Sequence, residues 1–147
     1  MSFLDRIIKK SATDDTLAPH ESFVAILIAI AAIDGNIVDE EVTDFMSTFN
    51  KSKLLSTLSK EQFSHLVNKV INIKDKKGAN VLLEMGMDCL PANIYKATYI
   101  NACDLIYSDG EIKKEELNAI ILLRDRLKID EVEAAQIAEF IQLKNSL

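Results

Sequence analysis

Two copies of a short acidic motif contain the residues of this chain whose types and spacing could do chemistry. The first copy reads DGNIVDEE and begins at Asp34, and the second reads DGEIKKEE and begins at Asp109. Both copies have an Ile two residues after the Gly and a Glu seven residues after the Asp, namely Glu41 and Glu116. The copies lie 75 residues apart and both are flanked by apolar residues. We therefore interpret the chain as two pseudo-repeated helical halves.

Carboxylate oxygens of this kind suit a hard divalent cation. If Asp34 and Glu41 converge with the second pair across a pseudo-twofold axis, the four carboxylates repel one another unless a cation joins them. Neither motif contains His or Cys, so the ligand set points to Ca²⁺ or Mg²⁺ rather than to Zn²⁺ or Cu²⁺. The metal ligands predicted on this basis are Asp34, Glu41, Asp109 and Glu116.

The EF-hand loop shares the Asp-Gly pair, the Ile and the closing Glu with both motifs. Its first and third ligand positions would fall on Ile30 and Ala32 in the first copy, and on Leu105 and Tyr107 in the second. None of these four residues carries a carboxylate. Neither copy is therefore a working EF-hand, and a cation would have to bind in another way.

The same residues also fit a structural role that needs no ligand. An Asp at the end of one helix, a Gly with positive φ and a Glu in the first turn of the next helix describe a helix-turn-helix. There, Glu41 and Glu116 can accept hydrogen bonds from free backbone N–H groups. Against a role in capping alone, the residues where a Ser, Thr or Asp cap is expected are Val38 and Lys113. Three further motif acids are interpreted either as solvated first-turn residues or as members of a ligand shell: Asp39, Glu40 and Glu115.

The elements that position these motifs are helices, because apolar residues recur at helical spacing and no stretch alternates with the period of a strand. The uncharged run from Phe23 to Ile33 is shorter than the roughly 20 residues that span a bilayer, so it predicts a buried core helix. Ser59 begins a Ser-x-x-Gln capping box, Pro91 opens a later helix, and Asp130 caps the last one. The sequence predicts an all-α, compact bundle of about seven helices joined by short turns such as residues 74–78.

Length and composition favour a single domain. The chain has 147 residues, of which 48% are hydrophobic, with only four Gly and two Pro, so a loop-rich β-sandwich or a disordered chain is disfavoured. We assign residues 1–147 to one domain whose motif halves are about 19–73 and 91–145. The apolar stripes expected to face the core in the second half are Ile94, Ala97, Ile100, Cys103 and Ile106, followed by Leu117, Ile120, Ile121 and Leu127.

Charge and targeting features limit the choice of partners and of cellular compartment. A net charge of −6 argues against a nucleic-acid partner. Residues 1–12 fit a short amphipathic helix, which either packs on its own domain or makes a peripheral contact with the inner membrane surface. No signal-peptide pattern is present, and Cys89 and Cys103 lie singly among apolar residues, which predicts a cytoplasmic protein with unreactive thiols.

Catalytic templates are absent from the sequence. His20 and His65 are distant from the motifs and lie at polar helical positions. The chain has no Gly-rich phosphate loop, no H-E-x-x-H and no G-x-S-x-G. Asp104 lies one turn before the second motif and has Ala29 as its counterpart in the first half. It either faces the acidic site and makes that site asymmetric, or has a buried partner or a solvent face. We predict that the protein is not an enzyme.

The doubled motif, read with its flanks as AILIAIAAIDGNIVDEE and NACDLIYSDGEIKKEE, resembles the TerB-like family of tellurite-resistance proteins. The resemblance covers nearly the whole chain. It implies an all-helical cytoplasmic protein of two helical halves, associated with tellurite resistance and related stress responses. It also implies a divalent-metal role for Asp34, Glu41, Asp109 and Glu116.

Three functional hypotheses follow. The leading one is a non-enzymatic interaction module in which a divalent cation joins the two halves and stabilises a surface for a protein partner. The alternative is a metal-free helical protein-interaction scaffold in which the acidic residues serve as helix caps. The third, from the enzyme class, is metal-assisted hydrolysis.

Overall fold

The computed structural model describes residues 16–33, 35, 37–49, 52–107 and 111–146, with the side chain of Phe45 excepted. Over these residues the protein is all-helical, which confirms the predicted fold class. The helices are α1 (Pro19–Ala32), α2 (Asp39–Met46), α3 (Lys60–Lys77), α4 (Ala79–Cys89), α5 (Tyr95–Tyr107), α6 (Lys114–Arg126) and α7 (Glu131–Lys144), with short 3-10 helices at Ser47–Phe49 and Ala92–Ile94. Asp34, Asp109 and the predicted amphipathic segment of residues 1–12 lie outside the described residues.

Helix α1 is the centre of the hydrophobic core. Nearly every side chain from Ser22 to Ala32 is buried, as the uncharged run predicted. The helix packs most extensively against α4 and also contacts α2, α3, α5 and α6. Within the described part of the chain, no helix is both long enough and apolar enough to cross a bilayer.

Gly86 permits the close approach of α4 to α1. A Cβ atom at this position would lie 2.7 Å from Ile26 Cγ1, 3.2 Å from the Ser22 carbonyl oxygen and 3.3 Å from Ile26 N. Two of these three atoms belong to the backbone of α1, so they cannot move without a shift of the helix. The small residue therefore sets the distance between the two helices that contribute most to the core.

Several helix starts follow the sequence signals. Ser59 Oγ accepts a hydrogen bond from Gln62 N at 3.1 Å, and Gln62 Oε1 accepts one from Ser59 N at 2.8 Å, which confirms the capping box of α3. Asp130 Oδ1 accepts from Val132 N at 3.3 Å and caps α7. The predicted turn at residues 74–78 is wrong, because α3 continues to Lys77 and only Gly78, at φ 91°, separates it from α4. Lysines in the last turn of α3 suit its C-terminal dipole, which favours continuing the helix.

The C-terminal helices pack around α5, which contacts both α6 and α7. The helix predicted to open at Pro91 begins with the 3-10 turn before α5. Four residues of its predicted apolar stripe and of the next one are exposed rather than in the core. They are Ala97, together with Ile100, Leu117 and Ile121, which are 42%, 42% and 40% exposed. The spacing located the helices correctly but included residues from their solvent-facing sides.

Candidate acidic site at the repeated motifs

The two motifs occupy matching places in the fold. Helix α1 ends at Ala32 and α5 ends at Tyr107, and the helices that follow begin at Asp39 and Lys114, so both pairs keep the 75-residue offset of the motif. Gly35 has the expected positive φ, 77°, and its N–H donates to the Ala32 carbonyl at 2.9 Å. An L side chain is strained in this conformation, which explains the Gly of the first motif.

Of the four predicted metal ligands, the structure describes Glu41 and Glu116. Asp34 and Asp109 lie outside the described residues. Glu41 is exposed at the start of α2, and Glu116 is half-buried at the start of α6. Among the described residues, no group of three or more His, Cys, Asp or Glu side chains is arranged to hold a metal ion.

Glu116 interacts with the backbone at the start of its own helix. The Lys113 N–H donates to Glu116 Oε1 at 3.3 Å. The same arrangement occurs at α1, where the Ala18 N–H donates to Glu21 Oε1 at 2.8 Å, and again at α3 with Gln62. Neither α1 nor α3 begins at a motif, so this contact is a general way in which the chain satisfies a free backbone donor. Glu41 occupies the corresponding position of α2, in which the Val42 N–H donates to the Val38 carbonyl at 3.1 Å.

Asp39, which the sequence suggested to be solvated, is paired with a lysine from α3. Lys74 Nζ lies 2.6 Å from Asp39 Oδ1 and 3.3 Å from Asp75 Oδ1, and the Lys74 side chain is only 11% exposed. The hydrogen bond from Lys74 lowers the pKa of Asp39, against the opposing effect of burial. Burial alone would lower the pKa of Lys74, but its hydrogen bonds to the two carboxylates outweigh burial and raise the pKa. A lysine therefore neutralises part of the acidic charge at the first motif.

The other acidic residues near the motifs also have assignable environments. Asp104 Oδ2 accepts a hydrogen bond from Lys144 Nζ at 2.9 Å, so it has a partner of its own on α7. Glu40 and Glu115 are exposed, in agreement with the predicted solvated role. The pairing of Asp104 with Lys144 therefore belongs to the packing of α7 on α5.

The two histidines, distant in sequence, lie in one groove between the start of α1 and α3. The groove has a volume of about 210 Å³ and is lined by His20, Glu21, Leu58, Gln62, His65, Leu66 and Lys69. Lys69 Nζ binds Glu21 Oε2 at 2.5 Å across it. Burial alone would raise the pKa of Glu21, but the hydrogen bonds from Lys69 and from the Ala18 N–H lower it overall. No sequence signal placed residues 20 and 65 together, because the contact depends on the packing of α3 against α1.

The buried cysteine has the character predicted for an inert thiol. Burial raises the pKa of Cys103 to about 11, which a hydrogen bond with Tyr99 only partly offsets. Cys89 is partly buried, and the Leu17 N–H donates to its Sγ at 3.4 Å.

Comparisons of the chain with protein-family models, with curated proteins and with solved structures found no match.

Proposed function

We propose that this protein is a metal-free, non-enzymatic protein-interaction scaffold whose acidic motifs fix the turns between helices. The motif residues act by ending and starting helices around α1, and the surfaces that bind partners lie on the outer faces of the bundle. The resemblance to TerB-like proteins adds the expected setting, which is a cytoplasmic role in tellurite resistance or a related stress response.

The observation that carries this proposal is the contact of Glu116 Oε1 with the Lys113 N–H. A carboxylate that caps a helix is already held by the protein, and the equivalent contacts of Glu21 and Gln62 occur where no motif is present. At the first motif, Lys74 supplies a positive charge to Asp39, which reduces the need for an external cation.

The divalent-metal-linked module is the second candidate, and the environment of Glu41 favours it. This side chain is exposed and makes no hydrogen bond or ion pair within the described part of the chain, so its carboxylate is accessible to an ion. In that form of the protein, Glu41 and Glu116 would bind Ca²⁺ or Mg²⁺ together with Asp34 and Asp109, and the cation would supply a link between the two halves.

A substitution of Glu116 distinguishes the two roles, because glutamine preserves the cap and removes the charge. In the scaffold, Glu116→Gln keeps the acceptor for the Lys113 N–H, as Gln62 does at α3, and leaves stability nearly unchanged. Glu116→Ala removes the acceptor and lowers the free energy of unfolding by about 1 kcal/mol. Glu115→Gln is the matched control, since Glu115 is exposed in the same first turn.

Thermal unfolding of these variants with chelator, with Ca²⁺ and with Mg²⁺ provides the measurement. The scaffold predicts the same Tm for the wild type in all three conditions. A metal-linked module instead predicts added stability of about 2.7 kcal/mol at a cation concentration one hundred times its Kd, and loss of that increment in Glu116→Gln. That second pattern would refute the scaffold and establish the metal-linked role.

The non-enzymatic part of the proposal has its own test. Phosphate esters supplied with Mg²⁺ or Mn²⁺ should show no turnover by the purified protein. Turnover that is lost in Asp109→Asn would instead establish metal-assisted hydrolysis.

A further inference from the structure

Helix α7 exposes apolar side chains on the side that faces away from the core. Its inner side carries Ala134 and Ile141, which are buried, and the helix packs against α5. Two ion pairs hold the same two helices together, Lys96 with Glu133 at 2.7 Å and Lys144 with Asp104 at 2.9 Å. The opposite side carries Val132, Phe140 and Leu143, which are 64%, 69% and 64% exposed. Isolated exposed apolar residues are common, but these three are the most exposed large hydrophobic side chains among the described residues and they share one helix, which marks an interaction surface.

The residues at the centre of this outer side form a seam with coiled-coil spacing. Val132, Gln136, Glu139 and Leu143 follow one another at intervals of four, three and four residues, and all four are exposed. Phe140 flanks the seam. This spacing is that of the a and d positions through which one helix packs along another. The seam is apolar at both ends and polar in the middle.

We propose that the outer face of α7 binds a second copy of this chain, with the two α7 helices antiparallel about a twofold axis. In this arrangement Val132 of each copy lies opposite Leu143 of the other, so the apolar ends meet. Gln136 lies opposite Glu139, so an amide donor meets a carboxylate acceptor twice in the dimer. A parallel pair would instead place the two Glu139 carboxylates against each other, which costs free energy. The chemistry of the seam is therefore complementary to itself in one orientation.

The small size of the surface is typical of a weak dimer. The exposed parts of the seam and of Phe140 would bury on the order of 1,000 Å² over both copies, which lies at the low end for specific protein interfaces. The dimer is therefore weak and forms over a micromolar to millimolar concentration range. The inference goes beyond the proposed scaffold role and depends only on α7, so its failure leaves the predictions for Glu116 unaffected.

Sedimentation equilibrium of the full chain, from about 1 μM to about 1 mM, is the test. The wild-type mass should rise with concentration from 16.4 kDa toward twice that value. Gln136→Lys should tighten the dimer roughly fivefold, because it places an ammonium opposite Glu139 twice. Gln136→Glu should weaken it by a similar factor, and Leu143→Glu should leave the protein monomeric. Leu122→Glu, on the exposed side of α6, is the control and should dimerise like the wild type.

Three results would overturn the inference. One is a wild-type protein that stays monomeric over the whole range. Another is a dimer that responds to Leu122→Glu but not to the α7 variants, since its interface would lie elsewhere. The third is a Phe140→Trp variant whose tryptophan is shielded from a soluble quencher at concentrations where the protein is monomeric, since another part of the chain would then cover this face. The chain has no other Trp, so that signal is unambiguous.

Discussion

Because α1 and α4 are in close contact, we expect Gly86→Ala to lower the free energy of unfolding, whereas helix propensity alone would raise it. Gly86 lies inside α4, where replacement by Ala ordinarily stabilises a helix by up to about 1 kcal/mol. Here the added Cβ would lie 2.7 Å from Ile26 Cγ1 and 3.2 Å from the Ser22 carbonyl oxygen. Ile26 is fully buried and cannot rotate away without displacing its neighbours.

Overpacking of a filled core costs roughly 1–3 kcal/mol, and contact with helix backbone places Gly86→Ala in the upper part of that range. After the gain in propensity is subtracted, we expect a net loss of about 1–2 kcal/mol in the free energy of unfolding. For a chain of this size, such a loss lowers Tm by roughly 2–8 °C. Far-UV circular dichroism during urea unfolding and heating measures both quantities.

Two further variants make this prediction specific. Asn80→Ala is the control in the same helix, because Asn80 is exposed, and it should stabilise by a few tenths of a kcal/mol. Ile26→Ala removes the atom nearest to the added Cβ. The double variant should therefore lose less free energy of unfolding than the two single variants lose when their losses are added. A Gly86→Ala protein as stable as the wild type, or additive effects of the two substitutions, would show that α1 accommodates the added Cβ without strain.

Two other predictions concern charge and thiol chemistry. Lys74→Met keeps the buried stem of the side chain but removes the ion pair with Asp39. It should lower the free energy of unfolding, measured by urea titration at neutral pH, by about 0.2–1 kcal/mol. Lys76→Met, at an exposed position of the same helix, is the control and should leave that free energy unchanged. Because the pKa of Asp39 is lowered and that of Lys74 is raised, this contribution is complete between about pH 5 and pH 9. It is lost as the pH falls through the folded pKa of Asp39, and a difference that persists unchanged at pH 2 would contradict the assignment. In a Cys89→Ser variant, Cys103 is the one remaining thiol, and its pKa of about 11 leaves about one thousandth of it ionised at pH 8. A disulfide reagent should therefore modify the folded protein far more slowly than the unfolded protein. Equal rates would contradict the burial of Cys103.

Local sequence signals predicted the helices well because their causes are local. The apolar run of α1, the Ser59 capping box and the Asp130 cap depend on residues within one or two helical turns of each other. The predicted turn at residues 74–78 failed because Gly and charged residues also fit a helix that ends one residue before Gly78. Periodicity likewise could not separate the buried Ile120 from the exposed Ile121, which are adjacent on α6.

The acidic site was only partly predictable, because its main contacts join distant parts of the chain. Nothing in the first motif indicates that Asp39 meets Lys74 from α3, and nothing near Asp104 indicates Lys144. These pairs arise from the packing of α2 near α3 and of α7 on α5. The contact of Glu116 was foreseeable as half of a capping box, although the first residue of that box is Lys113 rather than Ser or Thr.

The proposed scaffold role rests on acidic motifs that fix helix ends, as Glu116 does for the Lys113 N–H, and that need no cation. Calorimetric titration of chelator-treated protein with Ca²⁺ and then with Mg²⁺ tests it most directly, with an Asp34→Asn, Asp109→Asn double variant beside the wild type. We expect no saturable heat from either protein while both remain folded by circular dichroism. Saturable binding by the wild type that disappears in the double variant would contradict it, and would show that the two motifs form one metal site.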